Sequence, residues 1–376
     1  MTGKPHFSSP VTRYCLSTTE AIMKKKKFAL VGCGEIAKKH VHVIQNILEN
    51  SEIVGLCDTK LEKAKKFADL LNVPVFSSAV EMMDKIGSDI DIVNILTPSG
   101  NHRKCIMDIV EYGKPIVVEK PIALRLDEAD EIIRACDSHR VKIFVVHQNR
   151  YNLPVIKARE AFAQGRFGKM VMGTVRLRWK RDQKYYDSAD WRGTWAYDGG
   201  VFTNQASHHI DMLTWFMGPV ETVKAIGVTR LVNIECEDTG AALLRFSSGA
   251  IGIIEVTTAT RPKDLEGSIS ILGEKGSVVI GGFFMNELST WEFEDRQPTD
   301  DTMFEKYGKN PQGMGYNLGE YLKDVIKAID SDKAGLVDGL EGRKSLELIS
   351  AIYESIETGN EITLRFQPKK CKLGVV

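Results

Sequence analysis

No apolar run in the 376 residues approaches the ~20 that a membrane-spanning helix requires, and no CxxC pair occurs anywhere. The first absence argues against a helical membrane span, the second against a cysteine zinc site or a redox pair. Seven cysteines are scattered at positions 15, 33, 57, 105, 136, 236 and 371, several inside apolar stretches. That pattern suits reduced thiols in a cytoplasmic protein and predicts no disulfide framework. An excess of either charge is missing too: 50 Lys plus Arg balance 50 Asp plus Glu. Nothing electrostatic therefore points to nucleic acid or to a membrane surface. There is no internal repeat and no low-complexity tract. Residues 1–22 lack both periodicity and the apolar core of a signal peptide, and Met23 precedes four lysines. Residues 1–23 thus read as a flexible extension, with Met23 an alternative start.

What is present divides in two, as the length suggests. Over 24–148, strand-like and helix-like segments alternate, the grammar of a parallel sheet with crossover helices. Lys27–Val31, Ile53–Asp58, Asp91–Leu96, Ile116–Glu119 and Lys142–Gln148 read as strands. Over 149–376 longer strand-like runs dominate: Met170–Trp179, Val223–Val228, Thr239–Phe246, Ala250–Thr258, Gly267–Gly273 and Ser277–Ile280. Glycine turns separate several of these, which predicts a large, open, mostly antiparallel sheet. Helices predicted near Asn317–Ile329 and Gly342–Thr358 are expected to pack back on the first domain. The expected fold class is α/β.

Two motifs carry chemistry. Strand Phe28–Val31 runs into Gly32-Cys33-Gly34-Glu35-Ile36-Ala37. Glycine at 32 and 34 lets backbone N–H groups approach a pyrophosphate, and Ala37 is small enough for close helix–strand packing. Asp58 ends the second strand, 26 residues after Gly32. A carboxylate there can bond both ribose hydroxyls and would repel a 2′-phosphate, favouring NAD over NADP; capping of the following helix is the lesser alternative. Thr97-Pro98 ends another strand, where cofactors lie, with Asn101 and His102 able to cap the next helix. The second motif is Glu119-Lys120-Pro121 after Ile116–Val118. Proline biases Lys120 toward extended geometry, so its side chain can project from the strand end. Desolvated beside a nicotinamide cation, the ammonium would lose proton affinity and could relay a substrate proton.

Further on, Asp198-Gly199-Gly200 leads into Val201–Asp211. If this stretch is helical, Asn204, His208 and Asp211 share a face. His208 titrates in the range of a general base and Asp211 could orient it. His209 points elsewhere and reads as a partly buried helix histidine. No nearby Cys or Glu completes a ligand set, so no metal is expected.

Together, Gly32-x-Gly34-x-Ile36-Ala37, Glu119-Lys120-Pro121, Trp191-Arg192 before a Gly-Gly pair, His208-x-x-Asp211, Asp338-Gly339-x-Glu341-Gly342 and Ser355-x-x-Thr358-Gly359 resemble the Gfo/Idh/MocA oxidoreductases, over about residues 24 to 366. The resemblance implies a Rossmann NAD domain followed by an α/β domain whose open sheet forms an interface in a homo-oligomer, a tetramer before a dimer. It implies cofactor contacts from Gly32, Gly34, Glu35, Ile36, Asp58, Thr97, Asn101, His102, Glu119, Lys120, Trp191 and Arg192. It also implies Lys120 and His208 beside the reacting carbon, and a Lys120-Pro121 bond that is cis. Many relatives carry Asp where this chain has Asn204, and a neutral amide cannot act as base.

Gln148-Asn149-Arg150-Tyr151-Asn152, Arg178–Asp187, Trp191–Trp195 and the Asn204–Asp211 stretch are similar to the subgroup that oxidises UDP-N-acetyl-glucosaminuronic acid (UDP-GlcNAcA) at C3, in bacterial surface-polysaccharide (O-antigen) synthesis. Asn204, Gln148, Arg150, Arg178, Arg181, Tyr185 and Tyr186 are then the expected substrate contacts, with arginine forks for diphosphate and carboxylate. Some members recycle NADH with 2-oxoglutarate. The rival readings are an inositol or free-sugar dehydrogenase, a non-catalytic NAD-binding regulator, and a structural subunit supporting an active paralogue.

Overall fold

The computed structural model describes residues 25–364 apart from 312 and 314; the expected extension over 1–23 lies outside them. Strands β1 (Lys26–Val31), β2 (Ser51–Cys57), β3 (Val75–Phe76), β4 (Ile92–Ile95), β5 (Ile116–Val118) and β6 (Ile143–Val145) pair in parallel in the order β3-β2-β1-β4-β5-β6. Helices α1 (Glu35–Asn46), α2 (Leu61–Leu71), α3 (Ala79–Ile86), α4 (His102–Met107) and α5 (Leu126–Ser138) cross between them. Covered on both faces, the central strands are apolar without alternation, and Phe28, Ala29 and Leu30 are fully buried. Chain order reverses between β1 and β4, which opens a crevice at their carboxyl ends.

The chain then runs through α6 (Leu153–Ala163), β7 (Met170–Arg178), α7 (Gln183–Tyr186), α8 (Ser207–Met217), β8 (Val220–Val228), β9 (Thr239–Phe246), β10 (Ile251–Thr257), β11 (Glu266–Gly273), β12 (Gly276–Gly281) and β13 (Glu287–Phe293). After α9 (Met303–Tyr307), α10 (Tyr316–Asp330) and α11 (Gly339–Thr358), β14 (Ile362–Thr363) closes the second sheet. Its order is β13-β12-β11-β7-β10-β9-β8-β14, and every pairing is antiparallel except that of β7 with β10. Strand β13 has no counterpart in the sequence reading, because Glu287, Ser289, Thr290 and Glu292 dilute its apolar signal.

Side chains alternate across this sheet. Val175, Leu177, Leu244 and Val256 join the core beneath α8 and α11. Ile226, Leu243 and Ile251 stand on the other, open face and are more than half exposed. Helix α10 returns to the first domain, where Leu318, Tyr321, Leu322 and Val325 complete its core. The start of α11 is tied there as well, by Arg343 on Asp130 of α5. No helix among the described residues is long and apolar enough to cross a membrane.

Candidate active site

Where β1 ends, Gly32 takes φ +98°, and a Cβ would lie 2.8 Å from the Leu96 carbonyl and the Thr97 nitrogen. Only glycine lets the exits of β1 and β4 run this close. Gly34 then begins α1 with no side-chain bond to the first-turn amides, and its Cβ direction opens on free space. Uncapped amides at a helix N-terminus, facing room, suit a pyrophosphate. Asp58 accepts from the N–H groups of Cys33 and Lys60, both at 2.8 Å, so it braces the glycine loop from the end of β2. A cavity of about 480 Å3 runs from Lys60 and Lys63 past Pro98 and Asn101 to Trp191 and Tyr197. These residues fit a dinucleotide laid along the crevice. Glu35 is exposed and paired with Lys38, and Ile36 lies half-buried at the core's edge.

The Lys120-Pro121 bond is cis, as the resemblance implied. His102, expected to meet cofactor, is instead wholly buried. Its ring nitrogens lie 2.8 Å from the Pro121 carbonyl and 3.0 Å from the Thr97 carbonyl, between the two strand-end loops, and a neutral ring donates to one of them. Beneath Lys120, the buried Glu119 carboxylate meets His40 Nε2 at 3.0 Å, and His40 Nδ1 meets the Asn94 amide at 3.1 Å. Burial pushes Glu119 up, but the His40 bond and the Lys120 and Lys39 charges outweigh it and hold the group below its ordinary range. Burial lowers Lys120, partly offset by Glu119 and Asp198. Lys120 Nζ donates to the Asn204 carbonyl at 2.5 Å, a contact that crosses from the first domain to the second.

The helix expected from the glycines onward is broken: Val201–Gln205 form a π-turn before α8 begins. Glu237 sits under this turn and accepts from the Phe202 N–H and the Tyr353 hydroxyl. Burial raises its carboxyl to about 7. Asn204 donates its amide to Asp198, whose other oxygen accepts from the Gly193 N–H at 2.8 Å. Burial pushes Asp198 up to about 6.

Burial, reinforced by the Lys120 charge, holds His208 well below its ordinary value, so the imidazole is neutral, and its Nδ1 has no partner among the described residues. The expectation that Asp211 orients it is overturned. Asp211 instead takes both Nε and Nη2 of Arg150, at 2.8 and 2.6 Å, and lies 3.5 Å from His147 Nδ1. His147, fully buried, packs edge-on against His208 at 5.9 Å between ring centres. His209 is more buried than expected, against Trp179, and burial lowers it to about 3.

Three expected substrate contacts are engaged elsewhere. Arg150 is 1% exposed and spans Asp211 and Glu341, because a buried guanidinium requires carboxylates. Tyr186 is buried with its hydroxyl on Thr258. Arg178 pairs with Glu255 and Glu266 on the open sheet face, opposite α8, as strand alternation from Leu177 dictates. Others do gather. Arg181 lies over Trp179 and Tyr185, and Arg192 over Tyr185 and Trp191. Gln148 presents a buried Oε1 that has no partner among the described residues.

Residues 26–147 match the oxidoreductase family's NAD-binding Rossmann fold, and residues 159–364 its C-terminal alpha/beta domain. The chain belongs to the Gfo/Idh/MocA oxidoreductase family. It is an NAD-dependent enzyme acting on a CH–OH group, with an NAD-binding Rossmann domain. The WlbA dehydrogenase from Bordetella pertussis, solved with NADH and UDP-GlcNAcA, is 41% identical, with 92% of this chain and 99% of that one covered and a TM-score of 0.88. The WlbA dehydrogenase from Chromobacterium violaceum, solved with the same two ligands, is 40% identical over 92% of this chain and 97% of that one, with a TM-score of 0.86. A D-apiose dehydrogenase from Paraburkholderia graminis is 28% identical, with 93% of this chain and 92% of the relative covered. Among the described residues no group of three or more His, Cys, Asp or Glu is placed to hold a metal.

Asp198, His147, Glu237 and His40 were missed by sequence reasoning. His40 alone left a signal: a polar residue on the apolar stripe of α1, between Ala37 and Val43.

Arg150→Met should strand the Asp211 and Glu341 carboxylates and cost about 3–5 kcal/mol, read by urea denaturation. Glu237 has its proton affinity raised by folding, so its ionisation costs stability as pH rises from the ordinary 4.5 through about 7. Glu237→Gln should therefore match the parent in acid and exceed it above pH 7 by up to about 3 kcal/mol, seen as diverging thermal midpoints.

Proposed function

We propose that this enzyme oxidises the C3 hydroxyl of UDP-GlcNAcA to the 3-keto sugar nucleotide. The observation that carries the reading is the 41% identity to a dehydrogenase solved with NADH and UDP-GlcNAcA. When bound, NAD supplies the hydride acceptor. The chain's own groups do the rest. His208, held neutral, takes the hydroxyl proton. Lys120, lowered by burial, bonds the same oxygen and steadies the charge it gains. Asn204 and Gln148 hold the sugar through neutral hydrogen bonds. Arg192, stacked on Tyr185 and Trp191, offers a fixed fork to diphosphate or carboxylate, whereas Arg181 beside it on Tyr185 is paired with Asp264.

A second reading, a free-sugar dehydrogenase, is favoured only by the 28% likeness to a D-apiose enzyme. A neutral polyol would offer Arg192 no anion. The setting proposed is cytoplasmic synthesis of bacterial surface-polysaccharide sugars. The open sheet face, with Ile226, Leu243 and Ile251 exposed, supports a homo-oligomer, a tetramer before a dimer, in which Arg178 could serve a neighbouring subunit.

Purified protein with NAD and UDP-GlcNAcA, with and without 2-oxoglutarate, should convert the sugar nucleotide to a product two hydrogens lighter by mass. Lys120→Met and His208→Asn should each lower kcat by about 10²–10⁴-fold. Oxidation of D-apiose or inositol with UDP-GlcNAcA untouched would overturn the substrate. Leu243→Asp with Ile251→Asp should dissociate the oligomer in light scattering; a wild type already monomeric would rule the interface out.

A further inference from the structure

Lys120 is held from two sides. Below, Glu119 adjoins it in the chain but is committed to His40. Above, the Asn204 carbonyl accepts the ammonium, and the Asn204 side chain donates to Asp198 Oδ1. Asn204 is neutral and supplies no charge of its own. Asp198 is 3% exposed, lies next to the turn glycines, and is fixed at its other oxygen by the Gly193 amide. A buried carboxylate bonded to the residue that receives Lys120 is placed to do more than brace a turn.

We infer that Asp198, acting through Asn204, is a positioning residue that holds the Lys120 ammonium at the reacting oxygen and sets the pH at which Lys120 loses its proton. The inference deepens the proposed reaction, since the effect on turnover rests on Lys120 working there. Its effect on the lysine itself does not. The groups facing Lys120 are Glu119, Asp198 and Arg192, with His208, His147 and His102 within its field. Those facing Asp198 are Lys120 and Arg192, with Tyr186 and Cys236 within its field. A carboxylate favours the charged lysine, so removing it must move the Lys120 titration to lower pH. Against burial, the Gly193 amide bond first, then the Lys120 and Arg192 charges and the Asn204 bond, limit the rise at Asp198.

Two readouts separate this inference from the substrate assignment. In the first, the full chain without added cofactor is labelled with trace acetic anhydride across pH. Acetylation of Lys120 is then read by peptide mass against exposed Lys65. Asp198→Asn should shift the Lys120 midpoint down by about one pH unit, and Asn204→Asp, which adds a carboxylate, should shift it up. The exchange Asp198→Asn with Asn204→Asp restores one amide and one carboxylate and should return the midpoint. In the second, with UDP-GlcNAcA and NAD, Asp198→Asn should lower kcat about tenfold with KM within about twofold, and the corresponding limb of the pH–rate profile should move in the same direction. An unmoved Lys120 midpoint in folded Asp198→Asn overturns the inference, and so does an unmoved midpoint in Asn204→Asp should the first variant not fold. Shifted midpoints without sugar-nucleotide turnover support the inference and sink only the substrate.

Discussion

A lysine ammonium taken out of water at a strand end must find acceptors, and in this protein they come from both domains. Lys120 leaves β5 between Glu119, anchored in the first core through His40 and Asn94, and the carbonyl of Asn204 in the second domain. Desolvation lowers its proton affinity, and the nearby carboxylates partly offset that. The site therefore exists only when the π-turn before α8 is seated on the end of the parallel sheet. His102, buried between the Thr97 and Pro121 carbonyls, packs the sheet side of that contact.

The second support is the buried pairing of Arg150 with Asp211 and Glu341. It gathers the segment after β6, helix α8 and the start of α11 at one point. Replacing such a triad by packed apolar groups can be neutral, so its value here is geometric rather than a large net stabilisation. It fixes Asp211 away from His208 and places His147 edge-on to it. Among the described residues His208 thus keeps a neutral ring with no carboxylate partner, unlike the Asp-oriented histidine that His-x-x-Asp spacing suggests.

Much of the fold was legible because it rests on periodicity. Doubly covered parallel strands are continuous apolar runs, hairpin strands alternate, and glycine marks the βα turn. The departures have local causes. Strand β3 is two residues long and shows no period. The helix expected over Val201–Asp211 is interrupted where Glu237 bonds the Phe202 amide, a partner 35 residues away. Arg178 was assigned to substrate by chemistry, although its alternation with buried Leu177 already put it on the far face.

By itself, the sequence determined the α/β class, the dinucleotide crevice and the presence of Lys120 and His208, because these depend on residue type, near-neighbour spacing and strand-to-helix turns. Only the tertiary structure decided which polar groups face the crevice and which serve one another. Arg150 and Arg192 carry the same guanidinium, yet one is locked between two carboxylates and the other lies over Tyr185 and Trp191, the latter lining the crevice. That distinction follows from desolvation: a charge carried into the core must be paired there, and its partners come from chain segments far away in sequence.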